Sequence, residues 1–204
     1  MSQKTTGIYK ILSFFLFYRL TQIIMSGVSF RNNFAKNVIK SENNYILDIG
    51  CGTADILESI PNNHYYGFDI SKNYINYAKN KFFSKNYYFF NKKFNKNTIK
   101  KLPKFDFIIL FGILHHLSNI EIENLFFNIK KVLKNNSIIL IVDPVLIKKQ
   151  NIISKLLIKL DRGKNIKNFN EYNTTLKKYF RKISYKISHQ KFIQTKKRGD
   201  KDWR

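Results

Sequence analysis

Apolar residues recur along this chain in two alternating periods. Short apolar runs are separated by stretches with apolar residues three and four positions apart. Tyr45–Ile49 reads as a short strand ending in a glycine turn. Thr53–Ile60 reads as a helix stopped by Pro61, and His64–Asp69 as a second strand. Ser71 is placed to cap a helix with Tyr74, Ile75, Ala78 and Phe82 on one face. Tyr87–Phe90 reads as a third strand, and Phe105–Phe111, nearly all apolar, as a strand buried on both faces. Ser118 and Glu121 form a capping box ahead of Ile122, Leu125, Phe126, Ile129 and Leu133 at helical spacing. Ser137–Val142 is a further buried strand; Ile147–Leu160 and Glu171–Phe180 read as helices, and Ile183–Ile187 as a late strand.

Residues 1–40 read as two helices that cap a domain at 41–204. The first places Ile8, Leu12, Phe15, Leu16 and Leu20 at helical spacing, with Lys10 and Arg19 interrupting the apolar run. A transmembrane segment needs ~20 mostly apolar residues, so this stretch is expected to cover the domain. Lying on a membrane surface, as a peripheral contact, is the minority reading. Apolar strands alternating with helices predict an α/β fold with a doubly wound, mostly parallel sheet. Right-handed crossovers put the strand C-termini on one edge, and ligands bind there, where strand order reverses.

Composition changes this picture modestly. A length of 204 residues with 44% hydrophobic positions suits one α/β domain with a full core. The single cysteine, Cys51, excludes an internal disulfide, and no secretory signal is evident. Both point to a cytoplasmic protein. Lys and Arg number 37 against 13 Asp and Glu, a net charge of +24. Such a field attracts nucleic acid, anionic membranes or acidic substrates. Abundant Lys, Asn, Ile, Phe and Tyr together are also the pattern of an AT-rich genome, so much of the lysine is expected to decorate solvated faces.

The chemistry concentrates at two strand tips. The first reads Asp48-Ile49-Gly50-Cys51-Gly52-Thr53-Ala54-Asp55. Two glycines one residue apart allow a sharp turn and close approach to a ligand. A dinucleotide site wants a third glycine beside the pyrophosphate, where this chain has Asp55, a repelling carboxylate. S-adenosylmethionine has no phosphate, and Asp48 can pair with its ammonium. The second tip reads Gly67-Phe68-Asp69-Ile70-Ser71, with Asp69 seventeen residues after Gly52, near the ~20 expected of a ribose-binding acid.

These segments, with Phe105-Asp106 through Leu114-His115-His116-Leu117, resemble the motifs of class I S-adenosylmethionine-dependent methyltransferases of small-molecule type over about residues 45–145. The resemblance implies a seven-stranded Rossmann-like sheet whose last strand is antiparallel, with the glycine loop around the methionine end. It implies cofactor contacts from Asp48, Gly50, Cys51, Gly52, Asp69 and Ile70, and from Phe111 and Gly112 beside the reacting methyl. Ala54 stands where the family often has a third glycine. Asn91-Lys92-Lys93-Phe94 has no acid for the adenine amine, leaving backbone groups, Asn91 or packing by Phe94. Residues 196–204 do not read as a seventh strand, so the last hairpin is expected to be incomplete or degenerate.

Methyl transfer from a sulfonium depends largely on positioning, while a hydroxyl acceptor also benefits from a base. The candidates are His115 and His116 after the fourth strand and Asp143 after the fifth. Asp161 and Arg162 are candidates for the substrate, and Tyr9 and Arg31 for closing over the cofactor from the N-terminal cap. No metal-ligand cluster is evident. Leu110-Phe111-Gly112-Ile113 replaces the Asn/Asp-Pro-Pro-aromatic run typical of nucleobase amine methylation, and Cys51 lies in the cofactor loop, not at a pyrimidine. The expected activity is therefore O- or C-methylation of a small or lipid-like acceptor. A nucleic-acid (RNA) methyltransferase and a non-enzymatic protein on a degenerate fold are the alternatives.

Overall fold

The computed structural model describes residues 29–146, 165–180 and 182–185. The chain divides into two compact units, 1–169 and 170–204. In the first, helix α1 (residues 29–38) precedes five strands: β1 (Tyr45–Ile49), β2 (His64–Asp69), β3 (Tyr87–Asn91), β4 (Phe105–Phe111) and β5 (Leu133–Val142). Helix α2 (Lys72–Lys81) joins β2 to β3, and α3 (Asn119–Lys130) joins β4 to β5. Helix α4 (Phe169–Lys177) overlaps the helix expected at Glu171–Phe180, and residues 183–185, within the expected late strand, carry no regular structure. The expected helix at Ile147–Leu160, the N-terminal segment with Tyr9, and Asp161 and Arg162 lie outside the described residues.

All four strand pairings are parallel, in the order β3-β2-β1-β4-β5. The order reverses between β1 and β4, so right-handed crossovers bring helices to both faces of the sheet. On one face Ile46, Tyr65, Phe89, Phe107, Ile109, Phe111 and Leu140 pack with Ala35 of α1, Ile39 just after it, and Ile75 and Ala78 of α2. Strand alternation sends Leu47, Phe68, Ile108 and Leu110 to the other face, where α3 contributes its buried Ile122, Leu125, Phe126 and Ile129. Full burial of each such aliphatic side chain stabilises the fold by about 1.5–3 kcal/mol.

The capping box that starts α3 is fully formed. Ser118 Oγ accepts from the Glu121 amide at 3.3 Å, and Glu121 Oε2 accepts from the Ser118 amide at 3.0 Å. Two expectations need correction. The helix expected at Thr53–Ile60 is a single 3-10 turn, Asp55–Glu58. Gly50, Gly52 and Ala54 all take left-handed backbone, φ 77, 55 and 57, so helical geometry starts late, and Pro61 follows soon after. Leu133, expected to end the third helix, instead opens β5. Phe105 pairs with Leu133 and Phe107 with Ile138, so the intervening β5 residues bulge out. Ser137 Oγ closes that bulge by donating to the Phe105 carbonyl at 2.6 Å.

Candidate functional site

The tips of β1 and β2 are tied together by the backbone that the glycines permit. Gly50 and Cys51 amides both donate to the Phe68 carbonyl, at 2.8 and 3.1 Å. The Gly52 amide donates to Asp69 Oδ2 at 2.9 Å, and the Ser71 amide to Asp69 Oδ1 at 2.8 Å. Asp69 therefore fixes the glycine loop as well as the start of α2. A Cβ added at Gly52 would meet nothing within 4 Å, so the loop opens onto space there. At Gly50 it would come 3.2 Å from the Ile113 side chain. Ala54, 1% exposed, adopts the φ of 57° that glycine takes at little cost; for alanine it is strained by about 1–2 kcal/mol. Its conformation explains the glycine often found there in the family.

Asp48 sits on β1 opposite Gly67 and is 4% exposed. The Tyr65 hydroxyl donates to Asp48 Oδ2 at 2.6 Å. Burial pushes the Asp48 pKa up to about 7, against the opposing effects of that hydrogen bond and of the Arg31 charge. Arg31 comes from α1, one turn before Ala35, which packs on the sheet. Burial pulls its pKa down, while the charges of Asp48 and Asp143 hold it up. The guanidinium thus lies within the field of two carboxylates at the strand edge. Burial pushes the Cys51 thiol far up, leaving it protonated and unreactive.

The raised pKa of Asp48 gives a pH signature. The folded chain keeps a proton that the unfolded chain loses near pH 4, its ordinary value being 3.8 against about 7 here. That contribution to stability is present below about pH 4 and disappears as pH rises to about 7. Asp48→Asn removes the ionisable group while leaving Tyr65 an oxygen to donate to. The D48N chain is expected to melt several degrees above the wild type at pH 8, at roughly 2–4 °C per kcal/mol, with the gap closing by pH 4. Calorimetric melts across that range check it, and equal gaps at both ends would refute it.

The third corner follows β4. Gly112, φ 67, donates its amide to the Val142 carbonyl at 2.7 Å. Asp143 then accepts from the Leu114 and His115 amides at 3.0 and 3.1 Å and pairs with His115 Nδ1. Both side chains are 5% exposed. The His115 Cε1 lies 3.8 Å, and Arg31 Nη1 3.7 Å, from where a Gly112 Cβ would be. His116 is exposed, its ring 4.0 Å from that of His115. Toward β3, Asn91 Nδ2 donates to the Ile70 carbonyl at 2.9 Å, while the Ile70 side chain is 79% exposed. Phe94 is buried edge-on against Phe68, 5.6 Å between ring centres.

The fold thus assembles Asp48, Gly50, Gly52, Asp69, Gly112, His115 and Asp143 along one edge, at the reversal of strand order. Tyr65 and Gly67 were not singled out from the sequence. A Gly67 Cβ would lie 2.8 Å from the Tyr65 ring and 2.9 Å from Cys51 Sγ, so only glycine lets that packing occur. The available signal was a tyrosine inside a buried strand, which needs a partner for its hydroxyl.

A glycine loop, an acid at the neighbouring strand tip and a histidine–aspartate pair at the reversal of a parallel sheet define an S-adenosylmethionine-dependent methyltransferase domain of class I. The sequence model of the methyltransferase domain family matches residues 40–199, and the chain belongs to that family. No curated protein matches the sequence. Among solved structures, the YcgJ protein from Bacillus subtilis superposes with a TM-score of 0.59 at 17% identity, covering 74% of this chain and 68% of that one. Human N-acetylserotonin methyltransferase in complex with S-adenosylmethionine gives 0.53 at 22% identity, over 66% of this chain and 41% of that one. The cyclopropane synthase MmaA2 from Mycobacterium tuberculosis gives 0.58 at 14% identity, over 72% and 58%. This chain spans less than two thirds of the length of the latter two.

Proposed function

We propose that the protein methylates an oxygen or carbon of a small or lipid-like acceptor in the cytoplasm, with His115 as the base. The observation that carries this reading is the His115–Asp143 pair beside Gly112. Asp143 accepts at Nδ1, so the ring proton belongs there and Nε2 is the basic nitrogen. The likeness to a methyltransferase of N-acetylserotonin and to a mycolic acid cyclopropane synthase supports a small or lipid-like acceptor. Among the described residues no helix is long and apolar enough to cross a membrane.

The residues present fit S-adenosylmethionine. Arg31 and Asp48, of opposite charge, suit the carboxylate and ammonium of its amino acid end; the open space at Gly52 admits its close approach. Asp69 suits the two ribose hydroxyls, and exposed Ile70 offers an apolar edge to adenine. Cys51 contributes its backbone, and Phe94 supports the strand edge through Phe68. When bound, the cofactor supplies a methyl group on a sulfonium, already activated for in-line displacement. His115 takes the proton of an acceptor hydroxyl at Nε2, and Asp143 stabilises the resulting imidazolium. Phe111 and Gly112 would border the transferring methyl, and the exposed His116 would lie on the acceptor side.

The test is incubation of fractionated cell extract with radiolabelled methyl donor, with and without the protein. Label is expected in the small-molecule or lipid fraction. Label confined to RNA would overturn the acceptor class, and donor binding with no label anywhere would overturn the activity.

A further inference from the structure

The connection from β3 to β4 holds only one 3-10 turn, Ile99–Lys101, where a parallel crossover usually has a helix. One face of the β2–β3 pair is therefore left as the floor of a groove of about 550 Å³. Three part-exposed rings form that floor: Tyr66 stacks on Tyr88 at 4.7 Å and on Phe90 at 6.4 Å, while the buried Phe68 ring packs on Phe90 from the core. Tyr88 is 42% exposed. The rim carries Lys92, Lys100 and Lys101, with Lys92 5.2 Å above the Phe90 ring, and among the described residues no acidic one lines the groove.

Aromatic rings in a cationic track suit bases joined by phosphates. We infer that this groove is a docking site for single-stranded RNA. Its rings would take the bases of two to three nucleotides, and its lysines the phosphates. Asn97 and Thr98 also line the groove. Charge decides against the other occupants. Residues 1–28, 147–164 and 186–204 each hold more Lys and Arg than Asp and Glu, and a second copy carries +24 itself. All share the sign of the rim. An anionic membrane matches in charge, but its flat surface does not fill a concave floor. The site is separate from the residues assigned above to donor and acceptor. It therefore stands or falls independently of the methylation reading.

Anisotropy titrations of the whole protein with fluorescein-labelled 12-nucleotide single-stranded RNA test this, with net charge as the competing explanation. Tyr88→Leu keeps every charge and is expected to weaken binding about tenfold, the loss of one stacked base. K100Q/K101Q is expected to weaken binding and flatten the log–log salt dependence by about 1.4, for two phosphates on a single strand. Phe127→Leu, another exposed ring with Lys131 4.1 Å above it, is the control and is expected to change nothing. Equal binding by wild type and Y88L would mean the charge field alone attracts RNA and would overturn the proposal. So would a Tyr88-dependent affinity for phosphatidylserine vesicles without one for RNA. S-adenosylmethionine binding by Y88L, measured by calorimetry, is expected to match the wild type, which confirms that this chain still folds.

Discussion

Replacing His115 with asparagine is expected to lower kcat by about 10²–10⁴-fold, the usual contribution of a positioned base, while donor affinity changes less than about threefold. The asparagine amide nitrogen falls near the place of Nδ1 and can still donate to Asp143, so the local hydrogen bond survives. What disappears is the ring nitrogen able to receive the acceptor's proton. Asp143→Asn is expected to behave differently. Asp143 accepts from two backbone amides as well as from the His115 ring. An amide side chain must turn an N–H toward one of those donors. A buried donor left without an acceptor costs about 1–3 kcal/mol. The D143N chain is therefore expected to lose turnover and also several degrees of Tm, whereas H115N loses turnover alone. Steady-state kinetics on the acceptor found by labelling, with melts on each chain, separate the two. An H115N enzyme within twofold of wild-type kcat would remove His115 from the reaction, and catalysis would then rest on positioning alone.

Much of the scaffold was legible because hydrophobic period and secondary structure coincide. The runs at β1, β2 and β4, the one-sided pattern of α2 and the Ser118–Glu121 box each specify their element locally. The expected helix after the glycine loop fails for a backbone reason. Three left-handed residues in five interrupt it, and the third is an alanine, whose own propensity favours a helix. The β5 bulge depends on Ser137 meeting a carbonyl of another strand, a non-local event. The same division runs through the site. Asp48 and Asp69 stand out because strand tips and glycines mark them. Tyr65 reaches Asp48 only through the register of β1 and β2, which pairs Asp48 with Gly67. Arg31 reaches the edge only because Ala35 of α1, and Ile39 just after the helix, pack onto the sheet. Its sequence neighbourhood offered position but no partner.

Asp69→Ala is expected to weaken S-adenosylmethionine binding by at least about 100-fold. Two separate losses add. The first is in the protein: the Gly52 and Ser71 amides each lose a charged acceptor. Hydrogen bonds to charged groups contribute about 1.5–3 kcal/mol each, though water can replace part of this at a half-exposed carboxylate. The glycine loop is consequently less ordered, and binding must restore that order. The second loss is the pair of ribose hydroxyls that the carboxylate would accept from in the complex. Asp69→Asn keeps one acceptor oxygen and is expected to fall between wild type and D69A. Asn91→Ala supplies a comparison at the same edge. It frees the Ile70 carbonyl without touching the carboxylate, and it is expected to cost less than about tenfold. Calorimetric titration of these four chains and of D48N with S-adenosylmethionine and with adenosine orders them. Adenosine carries the diol but no amino acid end, so its affinity should fall in D69A and hold in D48N, because Asp48 addresses only the ammonium. Should D69A bind adenosine as tightly as the wild type does, the second strand tip does not hold the sugar, and the cofactor would have to lie in another orientation across the β1–β4 reversal.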